Sequence, residues 1–272
     1  MSNSYCTRYE VKQYLGIAQT ESGDDALLDA LCERVSRLVD SPTITGFEFF
    51  ERVATYYFDY YHSQKVRFNS PLLEVTTFTS GGSVQAASTF RLLPRNSYPK
   101  SRLELITGEG GSLSYSSTPQ DAHSILGLWG YHDDPTKRWA DSGDTIQNAT
   151  QISASGTTLT VADGDVFQVG HTLRIGTEQL CVSAILTNDL TVARAENGTT
   201  AAIHLNGVAV YIYRPMQVIR EATRELVCQM YKMKDSIPWG RIEMLDIGMI
   251  QVQSGIPELA ERMLAQYRRI GI

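Results

Sequence analysis

The chain opens with two stretches of helical spacing. Thr7-Arg-Tyr-Glu10 has the form of a capping box, in which the threonine hydroxyl accepts an orphan amide and the glutamate reaches back to the cap. The short helix it starts is expected to stop near Gly16, a residue suited to a left-handed position after a helix end. Asp24 and Asp25 fall in the first turn of a second helix, where acidic side chains complement the positive end of the dipole. Leu27, Leu28, Leu31, Val35, Leu38 and Val39 recur at helical spacing and predict its buried face. Glu33, Arg34 and Arg37 lie off that stripe, and Pro42 marks the stop.

From about residue 47 to 131 strand signals take over. Glu51-Arg-Val-Ala-Thr-Tyr-Tyr-Phe-Asp-Tyr-Tyr61 is a run of aromatic and β-branched residues. Alternation places Tyr57 and Tyr61 on one face with Asp59, and Tyr56, Phe58 and Tyr60 on the other. Leu72–Phe78 and Thr89–Leu93, separated by Ser80-Gly-Gly-Ser83, predict a hairpin with a glycine turn. Ser101–Ile106 alternates, and Ile125–Tyr131 is a further strand candidate whose glycines suggest a bulge or a close backbone approach.

Between about 144 and 213 helical periodicity is lost, and short alternating strands are separated by Asp163-Gly164, Val169-Gly170, Asn188-Asp189, Asn197-Gly198 and Asn206-Gly207. That spacing predicts a small antiparallel barrel or sandwich. Helix returns at Pro215, with Val218, Ile219, Ala222, Leu226, Val227, Met230 and Tyr231 on one face. Pro238-Trp-Gly240 breaks it, and a last helix is expected from Pro257 through Leu259, Met263, Leu264 and Tyr267. The predicted fold class is therefore α+β: a helical bundle from the N- and C-terminal segments, an antiparallel β region, and an inserted all-β domain. The expected boundaries are residues 1–143, 144–213 and 214–272.

Composition narrows the function classes. The chain has 272 residues and a formal net charge of −6, which argues against a protein that grips nucleic acid through many phosphates. A negative wall is still compatible with DNA sliding past it. The N-terminus shows no basic stretch followed by an apolar run, so no secretory leader is expected, and no window approaches the roughly 18 apolar residues of a membrane helix. Cys6, Cys32, Cys181 and Cys228 are scattered, without metal-ligand spacing, and read as reduced structural residues. No motif of a hydrolase, a nucleotide-binding loop or a metal centre occurs, so no catalytic residue, cofactor or metal is assigned and the chain is expected not to be an enzyme. His132 beside Asp133-Asp134 comes nearest to an oriented imidazole, and its surroundings read as turn chemistry. His171 and His204 are expected to stay solvated.

Several stretches resemble the head–tail connector (adaptor) family of tailed phages. These are Tyr5-x-Thr-x-x-Glu-x-Lys-x-Tyr-Leu-Gly-Ile17 and Asp24–Leu31, then Leu73–Phe78, Leu92-Leu-Pro94, Tyr98-Pro99 and Leu103-Glu-Leu105. Gly127–Tyr131 and the helix opening at Pro215 complete the series. Their order, over about 200 residues outside the insert, carries the resemblance. Gly170–Glu178, Leu190–Arg194 and Asn197–His204 resemble a small β module recurrent in phage virion proteins, except that Ala195-Glu196 stands where that module has a glycine after the arginine.

The resemblance implies a homo-oligomeric ring of about a dozen copies in the virion neck, made in the host cytoplasm. Such a ring contacts the portal protein on one side and the tail or next connector on the other. Double-stranded DNA passes through it without sequence-specific binding, along a channel lined by helices for which the second helix and the helix opening at Pro215 are the candidates, and no membrane is involved. It further implies portal docking by residues 257–272, with Leu259, Arg262, Met263, Tyr267, Arg268, Arg269 and Ile270 as candidates. Read from the residues alone, that segment is equally an amphipathic helix folded onto its own core. Tyr57, Tyr61, Trp129 and Trp139 are the inter-subunit candidates, because interfaces favour exposed aromatics. A tail-terminator or baseplate component and a carbohydrate-binding module are the alternatives.

Overall fold

Strands, not helices, dominate the fold. A computed structural model describes residues 3–235, 241–244, 248–251 and 257–269. Strand accounts for 33% of the chain and helix for 25%, which overturns the expected helical bundle with a small β insert. The described residues hold four α-helices and two six-stranded antiparallel sheets. The reason is that backbone pairing recruits segments with no apolar alternation at all. Trp139–Thr145, with Asp141, Ser142, Gly143 and Asp144 in succession, is a full strand of the second sheet.

The helices form one layer. α1 (Arg8–Leu15) is capped as expected: the Thr7 hydroxyl accepts the Glu10 N–H at 3.3 Å and Glu10 Oε2 accepts the Thr7 N–H at 3.2 Å. Gly16, at φ 71°, ends it. α2 (Asp25–Asp40), α3 (Gln217–Lys232) and α4 (Glu258–Ala265) pack with it around Val11, Leu28, Val35, Ile219, Leu226 and Leu264. Leu27, expected on the buried face of α2, is exposed. Phe49 and Phe50, in the loop after α2, close the layer by packing on Tyr5.

The first sheet comprises β1 (Arg52–Phe58), β2 (Lys65–Ser80), β3 (Ser83–Val84), β4 (Phe90–Leu93), β5 (Lys100–Leu105) and β6 (His123–Trp129), in the order β1-β6-β2-β5-β4 with β3 paired to β2. The predicted hairpin is corrected here: Gly81-Gly82 turns β2 into the two-residue β3, while Phe90–Leu93 pairs with β5. Val66, Phe68, Leu72, Phe78, Leu103, Ile125 and Trp129 fill its core.

The second sheet contains β7 (Trp139–Thr145), β9 (Thr158–Thr160), β10 (Thr172–Ile175), β11 (Glu178–Leu186), β12 (Asp189–Ala193) and β14 (Ala209–Tyr213). Their order is β7-β14-β10-β11-β12-β9, and β8 (Gln151–Ile152) pairs separately with β13 (His204–Leu205). Leu173, Ile175, Leu190 and Val192 are buried within this β module. A further ribbon, β15 (Arg241–Met244) with β16 (Gly248–Gln251), lies between α3 and α4 in the chain. The Pro238-Trp-Gly240 break lies outside the described residues. No helix among the described residues is long and apolar enough to cross a membrane.

The β module sits tightly against the first sheet. At Gly198, φ is +74° and a Cβ would lie 2.3 Å from the Val53 carbonyl oxygen, so only glycine lets the turn at Glu196–Gly198 press on β1.

Candidate functional site

Buried ionisable groups mark either chemistry or construction, and the fold holds two clusters of them around Glu178 and Glu51. Glu178, at the start of β11, is fully buried. Its carboxylate accepts from Arg194 Nε and Nη2 at 2.6 and 2.7 Å, from the Ala195 and Ala202 N–H groups at 3.2 and 2.9 Å, and lies 2.8 Å from His204 Nε2. Burial alone would raise its pKa; the Arg194 guanidinium, the Ala202 amide and His204 together outweigh burial and hold it at about 2. Arg194 also donates to the carbonyls of Ser153, Gly156 and Ala202. One ion pair thus ties the loops 153–156 and 194–202 to the start of β11, leaving the carboxylate no free lone pair with which to meet a substrate. His204, expected in solvent, is buried here.

Glu51 forms the second cluster. It accepts from Arg138 Nη1 and from Trp139 Nε1, the latter at 2.8 Å, while Gln179 Nε2 donates to the Glu51 backbone oxygen at 3.2 Å. Burial raises the Glu51 pKa against the opposing pull of Arg138. Asn197 extends the network by donating to Gln179 Oε1 and accepting from Asn3, each at 2.6 Å. The network joins the N-terminus, β1 and the β module, a role sequence reasoning missed because its members are separated by up to 194 residues.

His132 is buried, and its Nδ1 accepts the Asp134 N–H at 3.0 Å, as turn chemistry requires. Burial lowers its pKa, the opposite of what an imidazole oriented by a carboxylate would show. His171 is pushed down to about 4 by burial and by Arg214 and Arg220. All four cysteines are free and buried, with Cys6 Sγ 3.8 Å from Cys32 Sγ. No group of three metal-ligating side chains occurs among the described residues.

The expected interaction residues fall into three kinds. In α4, Ala260 and Leu264 enter the helical core, Met263 packs against it, and the Tyr267 ring lies 5.8 Å from Phe49 and 5.4 Å from Tyr131. The Arg269 N–H donates to the Thr45 carbonyl at 2.8 Å and Arg268 Nη2 to that of Thr43 at 3.4 Å. The segment is therefore folded against its own core, presenting Leu259, Arg262, Arg268 and Arg269 outward; Ile270 lies outside the described residues. Trp129 is 2% exposed, stacks on Tyr56 and donates to the Ala54 carbonyl, so its surface is already taken up within the chain. Trp139 is half-buried, its Nε1 held by Glu51. Tyr57 and Tyr61 are 62% and 78% exposed, and with Lys65 and Arg67 they line a cleft of about 470 Å³.

Part of the surface that the helical spacing predicts as buried lies open between α2 and α3. Leu31, Arg34 and Leu38 on one side, and Leu226, Met230 and Met233 on the other, line an open groove of about 470 Å³. Their spacing alternates three and four residues, the seam that one helix offers another. Met230 and Met233 keep over a third of their surface in solvent. Comparison with protein-family models and with curated proteins gives no match to this chain.

Proposed function

We propose that this chain is a structural subunit of a tailed-phage particle, a head–tail adaptor that assembles as a ring beneath the portal and joins capsid to tail. The observation that carries this reading is the open apolar seam between α2 and α3. The start of α2 (Asp24–Leu31) and the helix opening at Pro215 are two of the stretches on which the family resemblance rests. An apolar groove flanked by Arg34 has no use on the wall of a water-filled channel, so in the assembly it faces protein. The buried charges point the same way: Glu178 and Glu51 are fully engaged in holding loops and sheets together, as a part that transmits load requires. The net charge of −6 suits a conduit through which DNA passes without sticking. Residues 257–269 supply a second contact through the outward Leu259 and Arg262.

The test is assembly of the full chain with the portal protein of its own particle, followed by sedimentation velocity. A ring-sized complex is expected, and Leu38→Glu with Met230→Glu is expected to abolish it while leaving the melting temperature near that of the wild type. A chain that stays monomeric with and without the portal would overturn the proposal.

A further inference from the structure

The outward face of the first sheet carries an electrostatic anomaly for so acidic a chain. Antiparallel register places Arg67 of β2 opposite Arg102 of β5, and both are exposed. Like charges directly opposite one another destabilise a sheet. Neither arginine has a carboxylate partner among the described residues. One register step away, Glu104 is shared by Lys65 at 3.2 Å and Arg91 at 3.3 Å. Four cations therefore stand against Glu104 and Asp59. Asp59 is itself engaged, accepting from the Asp121 N–H and the Tyr61 hydroxyl. The exposed rings of Tyr57 and Tyr61 border this patch and make its cleft apolar as well as basic. In sequence order these residues are spread from 57 to 104, and only the strand pairing brings them together.

The β module bears the complement. At the end of β11 the loops at 162–166 and 186–189 are tied together, Gly164 N–H donating to Asn188 Oδ1 at 3.1 Å and Asn188 Nδ2 to the Ala162 carbonyl at 2.9 Å. This tip exposes Asp163, Asp165 and Asp189 together with Leu186, 77% exposed and paired across the turn with Asp189, and Val166. It offers three negative charges around an apolar knob, and the sheet face offers cations around two tyrosines.

The two surfaces belong to different sheets of the same copy. Gln179 near the start of β11 is hydrogen-bonded to Glu51, which immediately precedes β1. From that tie β11 runs eight residues to Leu186, about 24 Å, and β1 runs seven residues toward the cleft. No hydrogen bond or ion pair among the described residues joins tip to face.

We propose that the cationic, tyrosine-lined face of the first sheet seats the acidic tip of the β module of a second copy. The contact is heterologous, and repetition of a heterologous contact closes a ring when its rotation permits. The inference rests on the assembly reading above and names one of its joints. A second copy fits better than a nucleic acid because Leu186 matches the tyrosine rings and because the chain as a whole repels polyanions.

The experiment uses two charge-reversed full chains, R67E/R102E and D163K/D165K/D189K, each checked by thermal melting. Self-association is followed by sedimentation across a concentration series. Each variant alone is expected to associate at least about tenfold more weakly than the wild type. An equal mixture of the two is expected to regain association, because each reversed tip then meets a reversed face. If either variant alone associates like the wild type, or if the mixture stays dissociated, the joint is wrong and the ring reading stands on its other evidence. A wild-type chain that is monomeric throughout would overturn the joint, and one that stays monomeric with the portal present as well would overturn both. Binding of a single-stranded oligonucleotide that R67E/R102E abolishes, with association unchanged, would assign the face to nucleic acid instead.

Discussion

Glu178→Gln keeps the shape of the side chain and removes only its charge. In the wild type the carboxylate is 0% exposed and faces Arg194, itself 8% exposed on its side chain. Breaking such a buried pair from one side costs about 3–5 kcal/mol, because the surviving charge is left in a dry site. Arg194 retains three backbone carbonyls as acceptors, which places the expected loss at the low end, near 3 kcal/mol. The depressed pKa gives the same order: a fall from the ordinary 4.5 to about 2 corresponds to roughly 3 kcal/mol of preference for the charged form. For a domain of this size that is a drop in melting temperature of roughly 6–12 °C.

The pH dependence follows from the direction of the shift. A carboxyl more acidic in the folded state than in the unfolded one stabilises fully above its ordinary pKa of 4.5, and the contribution is lost as pH falls toward about 2. Urea unfolding at pH 7 and at pH 3 is therefore expected to show a wide gap between wild type and variant that narrows in acid. A gap under about 1 kcal/mol at pH 7, or one that does not change with pH, would refute the assignment of Arg194–Glu178 as the pin of the β module.

Three further outcomes are expected. Asp40, between Tyr5 and Arg37, is raised to about 7 by burial against the pull of Arg37 and the Tyr5 hydroxyl. The folded state thus favours its proton, so this contribution is present below pH 4 and is lost as pH rises through 7; Asp40→Asn should gain about 1–2 kcal/mol at pH 8 in urea titrations and flatten that dependence. Gly198→Ala forces a Cβ toward the Val53 carbonyl and a left-handed backbone onto alanine, and is expected to cost about 2 kcal/mol or more, with faster proteolysis near the β1 junction as the readout. Arg102→Glu replaces a like-charge pair with an ion pair to Arg67 and should stabilise the isolated chain by roughly 0.2–1 kcal/mol by thermal melting, even as it removes a cation from the sheet face.

Where local chemistry decides structure, the sequence was legible. Thr7 and Glu10 cap α1 as their spacing requires, the stripes of α2 and α3 bury Leu28, Val35, Ile219 and Leu226, and the turns of the β module separate strands close to those expected. The fold class was misjudged because register is non-local. β2 is a single strand of 16 residues that pairs with β5 along one part and β6 along another, and no property of Leu72–Phe78 alone reports that. The surfaces behaved similarly. Tyr57 and Tyr61 were visible as an aromatic run with only Lys65 and Arg67 nearby, and their full cationic frame appears when β4 and β5 bring Arg91 and Arg102 alongside. His204 looked like a turn residue because its partner Glu178 lies 26 positions away.

The central proposal is that many copies of this chain form a ring in the particle neck. A cryo-electron microscopic reconstruction of the neck of the particle that contains this chain tests it most directly. The expected density is a closed ring of copies directly beneath the portal, with the α2–α3 seams covered by protein and DNA along the axis. Density for this chain in any non-cyclic position, or seams facing the open channel, would contradict it.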